Sequence, residues 1–202
     1  MTEDEWLVSL DPAAMLAVLC NRTSDRKERL FAVAACKRIW SRIKDAHSRV
    51  AVHVAERFAD GLSSFQDLER AHNEAEPGND IVSDLPGAWA AWNAASVHHI
   101  KLTVAFARYW ANVASEDQKA ESIAQSALLR DMFGNPFRPL PPRPEAIAPL
   151  AEQIYAGQWE LMPLLGEWLQ EHGYWNEGEH CLDPKLHHVK GCWVVDWVTG
   201  RE

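Results

Sequence analysis

The chain has 202 residues, of which 47% are hydrophobic and 24% charged, and its formal net charge is −9 at pH 7. That balance excludes a largely disordered chain, and a length that buries about 70% of the unfolded surface removes the need for a disulfide or a metal to fold. The acidic excess excludes broad, non-specific binding of nucleic acid over the whole surface. No apolar run approaches the ~20 residues that cross a bilayer, and the acidic opening MTEDEWLVSL lacks the basic and long apolar regions of a signal peptide. The expected location is the cytoplasm, with no membrane partner. In that compartment the four cysteines are expected as reduced thiols or metal ligands.

Helix signals follow one another along the chain. Thr2 with Glu5 has capping-box spacing, and Asp11-Pro12 places an N-cap before a proline at the first helical position. Asp25 with Glu28 predicts the start of a helix running to about residue 44. Asp45 caps a further helix that Gly61 terminates. Ser64 with Asp67 opens the next, which Pro77-Gly78 ends. The periodicity of Trp89, Trp92, Ser96, Ile100, Thr103, Ala107 and Trp110 predicts one long helix from about Pro86 to Ala114. His98 and His99 then fall mid-helix, with His99 read as a core histidine. Ser115 is expected to cap the following helix, and Gly134 to end it.

The clearest break is GNPFRPLPPRPE, which holds five of the chain's 11 prolines. Closely spaced prolines favour extended chain, either a strap over the bundle or a linker. Residues 145–156 and 159–172 read as two short helices around Gly157, with a short helix or turn over 176–182. The closing GCWVVDWV carries strand-like Val and Trp pairs, yet its helical surroundings favour helix. No hairpin signal predicts a sheet. The expected fold is mainly α: a helical bundle over 1–133, a proline-rich strap over 134–144, and a small helical C-terminal unit over 145–202 packed on the bundle.

The stretches LLRDMFGNPFRP (128–139) and HVKGCWVVD (188–196), with TEDEWLVSLDPAAML and SDRKERLFAVAACKRIW, resemble an abundant family of short uncharacterised proteins from planctomycete-type bacteria. The family pattern reads close to LLRDIFGNPFRP and H-x-RGCWVVD. This chain differs from it at Met132, Lys190 and Trp197, where the pattern has Ile, Arg and Leu. The resemblance implies no assigned reaction. It implies that the strap and the C-terminal segment form one shared structural unit, and that Cys181, His188 and Cys192 belong to the pattern.

Three groups of residues could carry chemistry. Between residues 180 and 192 stand His180, Cys181, His187, His188 and Cys192, ligand types suited to zinc. The candidate set is Cys181, His188 and Cys192, with His180 or His187 as alternatives and a fourth ligand from a distant part of the chain. The spacing matches no known finger, and the competing reading makes Cys192 a small buried hydrophobe beside Trp193. Cys36, in the middle of an apolar helix face, and Cys20 read as core residues. The second group is the basic stretch 26–44, with seven Lys or Arg and one Glu. Its Arg26, Lys37, Arg38, Arg42 and Lys44 could bind nucleic acid or an acidic partner, or form a face that pairs with the acidic remainder of the chain. The third is the corner of Arg130, Asp131, Asn135 and Arg138, expected to pin the strap to the bundle.

No catalytic motif is recognisable. The favoured reading is a non-enzymatic cytoplasmic interaction or adaptor protein with a protein partner and no required cofactor. The alternatives are a small zinc-binding protein, structural or hydrolytic with Asp196 or a neighbouring acid as base, and a nucleic-acid or acidic-partner binder through 26–44.

Overall fold

A computed structural model describes residues 1–20, 22–78, 85–98 and 100–201. Among these residues there are twelve α-helices and no strand, so the mainly α expectation holds. The bundle comprises α1 (Glu3–Val8), α2 (Pro12–Leu19), α3 (Asp25–Arg38), α4 (Ala46–Ala59), α5 (Phe65–Glu74), α6 (Leu85–Ala94), α7 (Ile100–Ala114) and α8 (Gln118–Phe133). After the strap come α9 (Ala148–Tyr155), α10 (Met162–Glu171), α11 (Trp175–Leu182) and α12 (Trp193–Thr199).

The start signals work largely as read. Thr2 and Ser64 form complete capping boxes with Glu5 and Asp67, and the Asp11 and Asp45 carboxylates accept from the first free amides of α2 and α4. Two caps shift. Ser24, not Asp25, caps α3, and Asp117, not Ser115, caps α8. In each case the cap is the residue whose side-chain oxygen reaches amides two or three positions on. The predicted helix 25–44 also ends early, at Arg38, and a 3-10 turn over Trp40–Arg42 follows. There Arg49 takes the Ile43 carbonyl at 2.6 Å and lies over the Trp40 ring. This draws the chain out of the α3 axis.

The predicted 86–114 helix is instead two helices. The buried Arg29 guanidinium donates to the carbonyls of Ala94 and Ser96, at 3.0 and 2.9 Å, so these acceptors need no helical amide. The Ser96 hydroxyl accepts from the His98 amide and donates to the His98 carbonyl, which closes a local turn. His98 is therefore an exposed turn residue. His99 lies outside the described residues.

α3 is the central helix, buried from Glu28 through Cys36, and it packs against α4, α6, α7 and α8. Cys36 is fully buried, as read, and its thiol is pushed up to about 12 by burial. Cys20, by contrast, is exposed: it is the C-cap of α2, where the apolar face has already ended at Leu19.

A second buried cluster, including Ile154, Leu165, Leu169, Val195 and Val198, joins α9, α10 and α12. α10 and α11 approach closely because both are glycine at the crossing. A Cβ on Gly178 would stand 2.7 Å from the Gly166 carbonyl oxygen and 2.5 Å from Gln170 Cγ. Gly178→Ala is expected to cost about 1–3 kcal/mol by overpacking this crossing, read as a lower urea midpoint at unchanged slope. An unchanged midpoint would remove the argument for close approach.

The strap is tied at both ends. Trp6 Nε1 donates to the Gly134 carbonyl at 3.0 Å, Asn135 Nδ2 donates to Glu3 at 2.8 Å, and Trp197 Nε1 donates to the Pro141 carbonyl at 3.1 Å. Among the described residues no helix is long and apolar enough to cross a membrane.

Candidate metal centre

Four side chains from four segments converge where the C-terminal unit meets α8. Asp131 comes from the last turn of α8 and His180 from the last turn of α11. His188 lies in the loop between α11 and α12, and Cys192 is the N-cap of α12. One potential ligand atom from each lies within 4.8 Å of the others. His188 Nδ1 is 2.6 Å and His180 Nε2 is 3.2 Å from Asp131 Oδ1. Cys192 Sγ is 3.4 Å from His180 Nε2 and 3.8 Å from His188 Nδ1.

Local structure sets each of these side chains. The Val189 amide donates to Asp131 Oδ2 at 3.2 Å, so the carboxylate also orders the loop that carries His188. The Cys192 amide closes a turn onto the Val189 carbonyl at 2.9 Å. Gly191 holds φ +90 in that turn, and a Cβ there would stand 2.7 Å from Met132 Cε, so only glycine brings the turn down onto α8. The Lys27 ammonium fills the space behind it. It donates to the Met132 carbonyl at 2.7 Å and the Gly191 carbonyl at 2.6 Å, and pairs with Asp196 at 2.8 Å. At the end of α8, Gly134 lets the Trp193 ring approach, since a Cβ would meet it at 2.9 Å. Trp193 in turn packs beside His180, with 5.3 Å between ring centroids.

The group is sequestered. Side-chain exposure is 2% for Asp131, 8% for His188 and 11% for His180, and Cys192 is fully buried. Burial opposes charge on the Asp131 carboxyl, but hydrogen bonds from His180 and His188 outweigh it and hold the group below its ordinary range. Burial first, then the Asp131 charge and the nearby Cys181, pushes the Cys192 thiol well above its ordinary value. The backbone amides of Val194 and Val195 at the start of α12 pull weakly the other way.

A Cys-His-Asp arrangement also raises the question of a nucleophilic triad. In a triad the imidazole touches the nucleophile with one ring nitrogen and the orienting carboxylate with the other. Here His180 turns the same atom, Nε2, toward both Cys192 and Asp131, and His188 turns Nδ1 toward both. The four atoms surround one point instead of forming a relay, and the buried neutral thiol is a poor nucleophile.

Of the residues read as ligands from the sequence, His188 and Cys192 come together, and the alternative His180 joins them. Cys181 stays outside the group. One residue on along α11 turns it by about 100°, and it packs in the C-terminal core beside Gly166. His187 is exposed. Asp131 was visible only as a corner residue; its carboxylate is the distant fourth partner. Asp196, read as a candidate base, is 1% exposed and held by Arg26 and Lys27, so it is not free to activate water.

The basic stretch is largely answered from within the chain. Arg26 meets Asp196 at 2.8 Å, Lys37 meets Glu56 at 2.6 Å, Arg38 meets Glu121 at 3.0 Å, and Arg42 pairs with Glu116. Lys44 is exposed. At the strap corner, Arg130 donates to the Trp6 and Ser9 carbonyls, at 3.2 and 2.9 Å, and Arg138 pairs with Glu3.

No protein-family model, curated protein or solved structure matches the chain.

Proposed function

We propose that the protein is a non-enzymatic, zinc-binding helical scaffold, in which one ion held by Asp131, His180, His188 and Cys192 fastens the C-terminal unit to the bundle. The observation that carries this reading is the convergence of the four ligand atoms. Zinc bonds of about 2.0–2.3 Å set tetrahedral ligand-to-ligand edges of about 3.3–3.6 Å. The separations of 3.2, 3.4 and 3.8 Å already bracket that range. The 2.6 Å edge between His188 and Asp131 needs to open by less than 1 Å. The donor set of one thiolate, two imidazoles and one carboxylate suits a borderline-soft ion.

Four protein ligands leave no open position, and so favour a structural over a hydrolytic role. The ligand origins favour the same: one from the bundle, three from the C-terminal unit. A fastened unit holds its surface in one geometry, as an interaction or adaptor protein requires.

Metal analysis of protein purified without a histidine tag is expected to return about one zinc per chain. Cys192→Ala should weaken zinc binding at least about a hundredfold, a larger loss than the 10–100-fold typical of outer-shell partners. Cys181→Ala should leave it unchanged. Absence of stoichiometric metal, or equal effects of the two substitutions, would overturn the assignment.

A further inference from the structure

The loop that supplies His188 also forms a wall of a cavity of about 640 Å³ between α3 and α8. Its volume lies in the range of small-molecule sites, about 300–1,000 Å³. The floor is apolar: Val33 and Ala34 come from α3, and Ala124 and Ala127 from α8. Alanine at three of these positions leaves the volume unfilled.

The rim has the opposite character. Lys37, Arg38, Lys185 and Lys190 border it, against the carboxylates of Glu56 and Asp131. Lys37 and Lys190 are paired with Glu56 and Asp60, and Arg38 with Glu121. Lys185 is exposed at the mouth and has no ion pair among the described residues. Asp131 is turned into the centre. Lys185 is therefore the one lining cation without an ion pair among the described residues, above an apolar floor.

His188, one of the lining residues, carries a polar atom with no partner among the described residues. His188 Nε2 is buried and makes no hydrogen bond among the described residues, while Nδ1 on the other side of the ring faces the centre. A metal ion on Nδ1 fixes the remaining ring proton on Nε2. A metal-bound imidazole ordinarily donates this N–H to a carboxylate, a carbonyl or water, and here nothing among the described residues accepts it.

We propose that this cavity binds a small organic monocarboxylate with an apolar body. The aliphatic or aromatic part lies against Ala34, Ala124 and Ala127. The carboxylate faces Lys185 at the mouth and, once the buried His188 ring turns toward the cavity, accepts from Nε2 directly or through one water. The role given to Nε2 rests on the zinc reading, whereas the apolar floor and basic mouth do not.

The probe is octanoate, titrated calorimetrically into the full chain, with zinc content measured on the same sample. Octanoate is expected to bind saturably with one molecule per chain. Octan-1-ol, which has the same apolar body and no charge, should bind at least tenfold more weakly. Ala127→Leu fills the floor and should weaken octanoate at least tenfold at unchanged zinc content; Ala124→Leu serves the same purpose if the first variant fails to fold. Lys185→Ala should weaken it about threefold. Zinc-loaded protein that does not bind octanoate, or binds the alcohol equally well, or is unaffected by a folded floor-filling variant, would overturn the cavity assignment and leave the metal centre standing. Zinc-free protein that binds octanoate with the expected selectivity would uphold the cavity and overturn the centre.

Discussion

On the proposed zinc reading, a chelator should lower the protein's thermal midpoint by about 8–16 °C. An ion present at about a thousandfold its dissociation constant stabilises the folded state by about 4 kcal/mol. For a chain of about 150–250 residues each kcal/mol corresponds to about 2–4 °C. The effect should be reversed by adding zinc back, and should be absent in Asp131→Asn, which lacks the bundle's own ligand. It should also be uneven. His180, His188 and Cys192 anchor the end of α11, the following loop and the start of α12, so amide exchange there should accelerate more than in α3 or α4. Calorimetry with and without chelator checks the midpoint. A shift below about 2 °C, with the metal demonstrably gone, would show that the ion holds nothing together.

Asp196→Ala should destabilise the protein by about 3–5 kcal/mol, independently of metal. The carboxylate is 1% exposed and receives Arg26 and Lys27, each at 2.8 Å. Removing it takes from Lys27 its ion pair and from Arg26 the nearer of two, Asp60 at 3.5 Å being the other, and breaking a buried pair is costly. Burial alone pulls the Arg26 guanidinium down, yet its pKa is raised, because Asp196 and then Tyr155 outweigh burial. Asp196→Asn keeps the shape and one acceptor and should cost less than Asp196→Ala. Combining Asp196→Ala with Lys27→Met should cost less than the sum of the two, since they share one interaction. Urea unfolding measures all three. A loss below about 1 kcal/mol for Asp196→Ala would mean that water replaces the carboxylate freely.

Local signals made the helical class legible. Capping at Thr2, Asp11, Asp45 and Ser64 depends on residues two or three apart, and these read correctly. What failed depended on distant atoms. The break after Ala94 needs Arg29, 65 residues earlier, and nothing in the periodicity of 86–114 announces it. The same holds for the centre. The density of His and Cys between 180 and 192 is visible in the sequence, and so is the need for another ligand. Choosing between His180 and Cys181 requires the rotational phase of α11, which Gly178 and Gly166 set by their close approach. Asp131 lies 57 residues before His188 and looked like a strap anchor. The basic stretch was legible as charge, but its neutralisation by Glu56, Glu116, Glu121 and Asp196 is a product of the fold.

Lys27 spends its ammonium protons on the Met132 carbonyl, the Gly191 carbonyl and the Asp196 carboxylate, acceptors that lie 105 to 169 positions further along the chain. During translation that amine therefore lacks two of its three acceptors until residues 191 and 196 have been made. α3 can assemble early with α4 and α6 through its apolar face, while its first turn waits for the closing segment. A nascent chain halted before Gly191 would leave Lys27 with the Met132 carbonyl alone, while Arg26 keeps Asp60 and Tyr155. It would be distinguishable from the finished protein by anion exchange and by protease cleavage after Lys27.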